Sequence, residues 1–315
     1  MEEIKITNTK EAEEFIKVKL LEIETAAKDC TGIVYLSGGV DSAVVAVLGY
    51  RALGENLKVI FIDTGLMREA EAQWVRKTFE RQGLTVSIVD ASDRFFRALL
   101  GKIDPFNKRV AIRDTFYNKV LPYASQLYHA EFLLQGTNLT DIEATAENSV
   151  APQHNILEQI GKKISLPLIE PLVQLRKPSI RQIAKTLGLP EEVWNRMPFP
   201  GPGLAARIDG EVNRENVTVI RKVTKIVETR LKDISAFQYF AILLSDHVPN
   251  YDRTKIGYAV AISCIDSKDA TTAQPSEFDL NFIFNLRDRI YLEVPEVFRV
   301  CWDISTKPPG SVEWQ

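Results

Sequence analysis

One stretch constrains this chain more than any other: Ile33-Val34-Tyr35-Leu36-Ser37-Gly38-Gly39-Val40-Asp41-Ser42. The uninterrupted apolar run at 33–36 predicts a buried strand of a parallel sheet. Residues 43–50 predict a helix, so the six residues from Ser37 to Ser42 must turn the chain between the two. A Gly-containing turn that opens a helix presents backbone N–H groups to an anion, and the helix dipole adds to the attraction. Gly38 and Gly39 are expected at φ > 0, with the backbone close to the ligand. Ser37 and Ser42 supply hydroxyl donors for phosphate oxygens. Asp41 would repel a bare phosphate, so its presence predicts a divalent cation between them. The alternative is a plain tight turn, but the turn carries neither the G-x-G-x-x-G of a dinucleotide fold nor the G-K-[ST] of a P-loop. It reads as a pyrophosphate cradle for ATP.

Residues 57–62, 84–89 and 130–135 are further apolar runs, ending in Asp63-Thr64-Gly65, Asp90-Ala91-Ser92 and Gly136-Thr137-Asn138. Helical patterns separate them, which predicts a doubly wound α/β sheet. Ligands of such sheets sit beyond the carboxyl ends of strands, so Asp63, Gly136 and Thr137 are expected beside the first turn. Ahead of it, Asn8-Thr9-Lys10-Glu11 resembles a capping box, with Phe15, Val18, Leu21 and Ile23 as the apolar face of a helix.

Lys108, Arg109 and Arg113 form a basic cluster, read either as a solvated helix face or as a phosphate contact. Residues 140–161 lose periodicity, as an active-site lid or disordered loop would. Asp141 and Glu143 are read there either as Mg²⁺ ligands, with Asp141 set beside Asp41, or as solvated loop carboxylates. Arg196-Met197-Pro198-Phe199-Pro200-Gly201-Pro202-Gly203-Leu204 packs three prolines and two glycines into nine residues. That composition forbids regular structure and predicts a rigid, shaped loop near the site. Beyond it, 211–233 and 237–244 read as helices, and 256–265, 298–304 and 312–314 alternate like strands. The expected division is a domain at 1–195 and a smaller α+β domain at 196–315.

A length of 315 residues makes two domains the natural expectation. The net charge of −3 gives no global attraction to nucleic acid or anionic membranes. No apolar run approaches the roughly 20 residues that span a bilayer, and the opening Met1-Glu2-Glu3 lacks a signal-peptide pattern. Cys30, Cys264 and Cys301 are too widely spaced for a metal or redox motif and are expected to be reduced and buried. A cytoplasmic protein is the expectation.

Together these stretches resemble the ATP pyrophosphatase part of GMP synthetase. SGGVDS at 37–42 matches the N-type ATP pyrophosphatase signature. DTG at 63–65, QGT at 135–137, IEPL at 169–172, RMPFPGPGL at 196–204 and DISTKPPGSVEW at 303–314 follow the family along nearly the whole chain. The resemblance implies that ATP adenylates the C2 oxygen of XMP and releases pyrophosphate, and that ammonia then displaces AMP to give GMP. It implies Mg²⁺ on the pyrophosphate, a C-terminal domain that forms a homodimer, and a separate glutamine amidotransferase subunit as the ammonia source. Ser37, Gly38, Gly39, Val40, Asp41 and Ser42 would bind ATP, with Asp41, Ser42 and Lys307 catalytic. Arg196, Pro200 and Gly201 of the Pro-rich loop, Arg207, Lys307 and Glu313 would line the acceptor site, with Arg109 a further phosphate contact. Two stretches depart from the family pattern. Its lid lysine is Ala151 here, within Val150-Ala151-Pro152-Gln153-His154-Asn155-Ile156, and its Val-Gln-Gly-Asp reads His247-Val248-Pro249-Asn250-Tyr251-Asp252. The alternative is therefore a paralogue that adenylates another carbonyl acceptor for amidation or thiolation; a nucleotide-holding subunit without turnover is a third reading.

Overall fold

The computed structural model describes residues 2–147, 166–267, 272–311 and 314. They divide into two compact units. The first comprises Met1–Asp63, Ala70–Ala91 and Asp114–Pro198; the second comprises Thr64–Glu69, Ser92–Arg113 and Phe199–Gln315. The chain therefore passes between them several times.

The first unit holds helix α1 (Thr9–Ala27), strand β1 (Gly32–Leu36), helix α2 (Val40–Leu53), strand β2 (Leu57–Asp63), helix α3 (Glu71–Glu80) and strand β3 (Val86–Asp90). After the second unit's α4 (Ser92–Leu99) and α5 (Pro105–Thr115), a π-helical segment (Phe116–Val120) leads into α6 (Leu121–Leu127), β4 (Phe132–Leu134), α7 (Leu139–Glu147), β5 (Leu168–Ile169), α8 (Lys177–Thr186) and α9 (Glu191–Trp194). The five strands form one parallel sheet in the order β3-β2-β1-β4-β5, so the α/β doubly wound expectation holds. Strand order reverses at β1 and β4, and this switch point is where such sheets open a crevice. Helix α2 is buried from Ala43 to Gly49 and packs against α1, α8 and the sheet, which fixes the turn ahead of it on a rigid support.

The second unit pairs β6 (Gln238–Pro249) antiparallel with β7 (Ile256–Asp266). Strand β7 also pairs with the short β8 (Gln274–Pro275) and, in parallel, with β9 (Val297–Trp302). Helix α10 (Arg214–Leu231) packs on β6 and on α11 (Leu280–Glu293). No helix among the described residues is long and apolar enough to cross a membrane.

Several local expectations are corrected. Residues 238–244 are strand, not helix: Tyr239, Phe240, Ala241, Ile242 and Leu243 are all buried, and an apolar run buried on both faces carries no helical period to read. Strand β7 is buried continuously from Gly257 to Ile265 rather than alternating. Residues 140–147 are helical because Asn138 caps α7. Its Oδ1 accepts from the N–H groups of Thr140 (2.9 Å) and Asp141 (3.2 Å), and Asp141 Oδ2 accepts from the Asn138 N–H (3.1 Å). This is a reciprocal capping box built from Asn and Asp. Helix α1 buries Ala12, Ile16, Ile23 and Ala27 and leaves Val18 and Leu21 exposed. Cys264 is buried, whereas Cys30 and Cys301 are half-buried; all three are free thiols. Residues 312–313 and the lid positions 150–160 lie outside the described residues.

Candidate nucleotide site

The turn at 37–42 leaves β1 at the switch point and becomes the first turn of α2. Gly38 sits at φ +81, while Gly39, expected at φ > 0, is extended at φ −90 and serves as the helix N-cap. A glycine cap has no side chain to offer, so the N–H groups of Val40, Asp41 and Ser42 keep no intrahelical or capping acceptor. The two serines face each other with Oγ atoms 3.0 Å apart; Ser42 Oγ donates to the Gly39 carbonyl (3.0 Å) and accepts from the Ser37 N–H (3.1 Å). The Gly39 N–H donates to Ser37 Oγ (3.3 Å). Gly136, just past the end of β4, lies against this turn: a Cβ there would stand 3.1–3.2 Å from the Asp41 carbonyl and the Ser42 nitrogen. Thr137 is buried, and its hydroxyl donates to Glu170, so QGT and IEPL brace one another. Asp63 ends β2 in register with Asp90 of β3, and its carbonyl accepts the Ala91 N–H (2.9 Å).

Asp41 carries the charge of the turn. Its Oδ2 pairs with Lys177 Nζ and accepts from Asn138 Nδ2 (3.4 Å). Its Oδ1 is buried with no hydrogen-bond partner. Burial pushes the carboxyl pKa up, Lys177 pulls it back, and the nearby charge of Asp141 adds to the rise. Among the described residues no group of three or more His, Cys, Asp or Glu is arranged to hold a metal. The donor set fits a cation carried in with a polyphosphate, for which one orphaned carboxylate oxygen and the phosphate oxygens suffice. Asp141 is engaged by its capping bond to Asn138.

Arg196 belongs to the same unit and comes to the same turn. Its guanidinium forms a double bond to the buried Glu71 (Nη1–Oε1 2.6 Å, Nη2–Oε2 2.7 Å), lies 4.1 Å from the centre of the Trp74 ring, and donates to the Gly38 carbonyl (3.4 Å).

In the second unit Lys307 is only 3% exposed and pairs with Asp303 Oδ2 at 3.0 Å. Burial works against the Asp303 charge, but the Ser305 N–H and hydroxyl, Lys307 and Ser263 outweigh it and hold the carboxyl below its usual range. Lys307 Nζ stands 5.6 Å from the Trp314 ring, which packs on the cluster of Phe240, Ile242 and Ala261. Arg207, also buried, stacks 3.6 Å from the Phe240 ring, so both predicted acceptor cations border one apolar cluster. Pro200 is buried and its carbonyl accepts the Gly203 N–H (2.8 Å), while Gly201 is exposed. Arg109 lies on α5 beside Lys108, whose buried ammonium donates to the Ile208 carbonyl at 2.5 Å. Burial pushes Lys108 down to about 8 against the pull of Asp209 and Asp104. Glu313 lies outside the described residues.

Residues 9–112 match the family model described as NAD synthase, and 215–314 match GMP synthase C terminal domain. One subunit of the glutamine-hydrolysing GMP synthase of Archaeoglobus fulgidus is 39% identical over 306 residues, covering 97% of this chain and 100% of that one. The like-named chain of Thermococcus kodakarensis is 40% identical over 309 residues, covering 96% and 99%. The chain belongs to the GMP synthase family. A glutamine-hydrolysing GMP synthase of Petrotoga mobilis, whose name specifies no subunit, is 38% identical over 314 residues, which are 96% of this chain but 62% of that one. Among solved structures, an NH3-dependent NAD synthetase from Campylobacter jejuni has a TM-score of 0.47 at 19% identity, over 61% of this chain and 80% of that one.

Sequence reasoning missed four residues at the turn of this GMP synthase chain: Asn138, Lys177, Glu71 and Trp74. Lys177 had left a signal. Arg176 and Lys177 stand at the N-terminus of α8, where the helix dipole disfavours cations. A local rule broken in this way points to a partner elsewhere, here Asp41 for Lys177 and Glu143 for Arg176.

Proposed function

We propose that this chain is the synthetase subunit of a two-subunit GMP synthase, converting XMP, ATP and ammonia to GMP, AMP and pyrophosphate. The observation that carries this reading is the turn at the sheet's switch point. It offers first-turn N–H groups and two serine hydroxyls to a pyrophosphate, with one oxygen of Asp41 buried and unpartnered. The N–H groups of Val40, Asp41 and Ser42 would bind the departing pyrophosphate, and Lys177 would turn from Asp41 to a phosphate oxygen. Asp41 Oδ1 would help hold Mg²⁺, which when bound supplies charge neutralisation of the leaving group. No side chain of the chain need become a nucleophile, because the C2 oxygen of XMP attacks the α-phosphorus directly. Catalysis then rests on positioning and on a preorganised anion site.

The first unit is assigned the ATP half of the reaction. The second is assigned acceptor binding through Arg207 and Lys307, and homodimer formation. Arg207 offers a planar fork and Lys307 a point charge to the acceptor's phosphate. A separate amidotransferase chain as ammonia source is supported by the Archaeoglobus and Thermococcus relatives, each named as one subunit of a glutamine-hydrolysing enzyme and matched over its whole length. The Petrotoga enzyme, in which the matched region is 62% of the chain, supports it too. The cytoplasm is the proposed location.

The test is GMP and pyrophosphate formation from XMP, ATP and Mg²⁺ with purified chain. Ammonium should support turnover and glutamine alone should not. ATP binding with neither pyrophosphate nor GMP formed from XMP would return the reading to another carbonyl acceptor, the consequence drawn from Ala151.

A further inference from the structure

The turn's donors are useful only if their peptide planes are held before the nucleotide arrives, and a Gly-Gly turn is the least able of sequences to hold itself. We infer that Glu71 is a positioning residue for the pyrophosphate site: through Arg196 it locks the peptide between Gly38 and Gly39 so that the Gly39 N–H turns to Ser37 Oγ and fixes that hydroxyl, and the turn, beside the anion site. This deepens the function proposed above and rests on it.

Glu71 opens α3, where the helix dipole favours a carboxylate, and is 4% exposed. A carboxylate so buried needs a full partner, and Arg196 supplies a double hydrogen bond. With the guanidinium edge on Glu71 and its face on Trp74, Arg196 has little freedom left, and its Nη1 reaches the Gly38 carbonyl. Carbonyl and N–H of a trans peptide point in opposite directions. Holding the Gly38 oxygen toward Arg196 therefore turns the Gly39 N–H the other way, toward Ser37 Oγ, where it is found at 3.3 Å. Glu71 also closes the space behind the turn, since a Cβ on Gly38 would meet its Oε1 at 2.8 Å. Arg196 is thus paired and stacked rather than a lone cation awaiting phosphate.

The test uses Glu71→Gln, which keeps the shape and removes the charge, and Arg196→Lys, which keeps the charge and loses the fork. Inorganic pyrophosphate is the probe, titrated with Mg²⁺ while Trp74 fluorescence reports the guanidinium above its ring; Trp74→Phe identifies that signal. Expected are an at least tenfold weaker pyrophosphate affinity and a similar rise in KM for ATP in both variants. KM for XMP should stay within twofold, and the double variant should be no worse than either single one. Pyrophosphate affinity within twofold of wild type in a folded variant overturns the assignment, as does an equal rise in both KM values. If Glu71→Gln does not fold, Arg196→Lys decides by the same readout. A wild-type chain that binds pyrophosphate but forms no GMP would sink the function reading while leaving the positioning test intact.

Discussion

Asp41→Asn separates what the turn does for the fold from what it does for chemistry. On the structural side the variant loses the ion pair with Lys177, which is open to solvent on the lysine side, 47% exposed against 19% for Asp41. Pairs of that exposure are worth about 0–1 kcal/mol. The loss is offset because Asp41 holds its charge against burial and leaves Oδ1 without a partner, a cost the amide reduces. The net change should stay within about 1 kcal/mol in either direction, or roughly 2–4 °C in melting temperature for a unit of this size. On the chemical side, removing one preorganised charged contact to a reacting centre costs about 10²–10³ in rate, near 3–4 kcal/mol. The assay is pyrophosphate release at saturating ATP and XMP with ammonium, beside thermal unfolding and XMP binding by calorimetry. A folded Asp41→Asn that keeps turnover within tenfold of wild type would refute the role given to the carboxylate. A collapse of the fold would refute the reasoning that the ion pair is worth little.

Gly203 sits at φ +63, and a Cβ there would strike the Leu66 carbonyl that accepts the Leu204 N–H, so Gly203→Ala should cost about 2–3 kcal/mol, read as a shift in denaturant midpoint. Lys108 is held at about 8 in the folded chain against an ordinary 10.5, so between these values the unfolded chain binds more protons and stability rises with pH. Taking the protein from pH 7 to pH 9.5 should therefore stabilise wild type by about 2 kcal/mol relative to Lys108→Met; denaturant titrations at the two pH values check this, and a falling difference would contradict it. Lys307→Ala strips the partner from a carboxylate that is 3% exposed, so it should cost about 3–5 kcal/mol of stability. In the variant that remains folded at low temperature, XMP affinity should drop at least tenfold with ATP affinity unchanged, as equilibrium dialysis would read.

The turn at 37–42 was legible because its residues are local: a strand, two glycines, two hydroxyls and a carboxylate within one reversal of the chain. The sheet was legible for the same reason, each parallel strand being a short apolar run with punctuation. Two elements were lost for local reasons as well. Helix α7 hides its start in an Asn–Asp box instead of the usual Ser–Glu one, and β6 is too apolar to show a period. What no reading of neighbours could supply was distant pairing. Glu71 meets Arg196 across 125 positions, and Asp41 meets Lys177 across 136. Glu71 and Lys177 look like ordinary surface charges until the fold brings their partners.

The second unit takes Thr64–Glu69 and Ser92–Arg113 from the midst of the first. Those pieces are not passengers. Arg221 donates to the carbonyls of Gly65 and Met67, Leu204 donates to Leu66, Arg68 pairs with Glu228 at 2.6 Å, and Lys108 reaches Ile208. A gene cut near residue 195 would thus yield neither half: one product would trail two unfilled segments, the other would lack the inserts that line its interior. The two units are laced together along the chain, so neither is one continuous stretch of sequence.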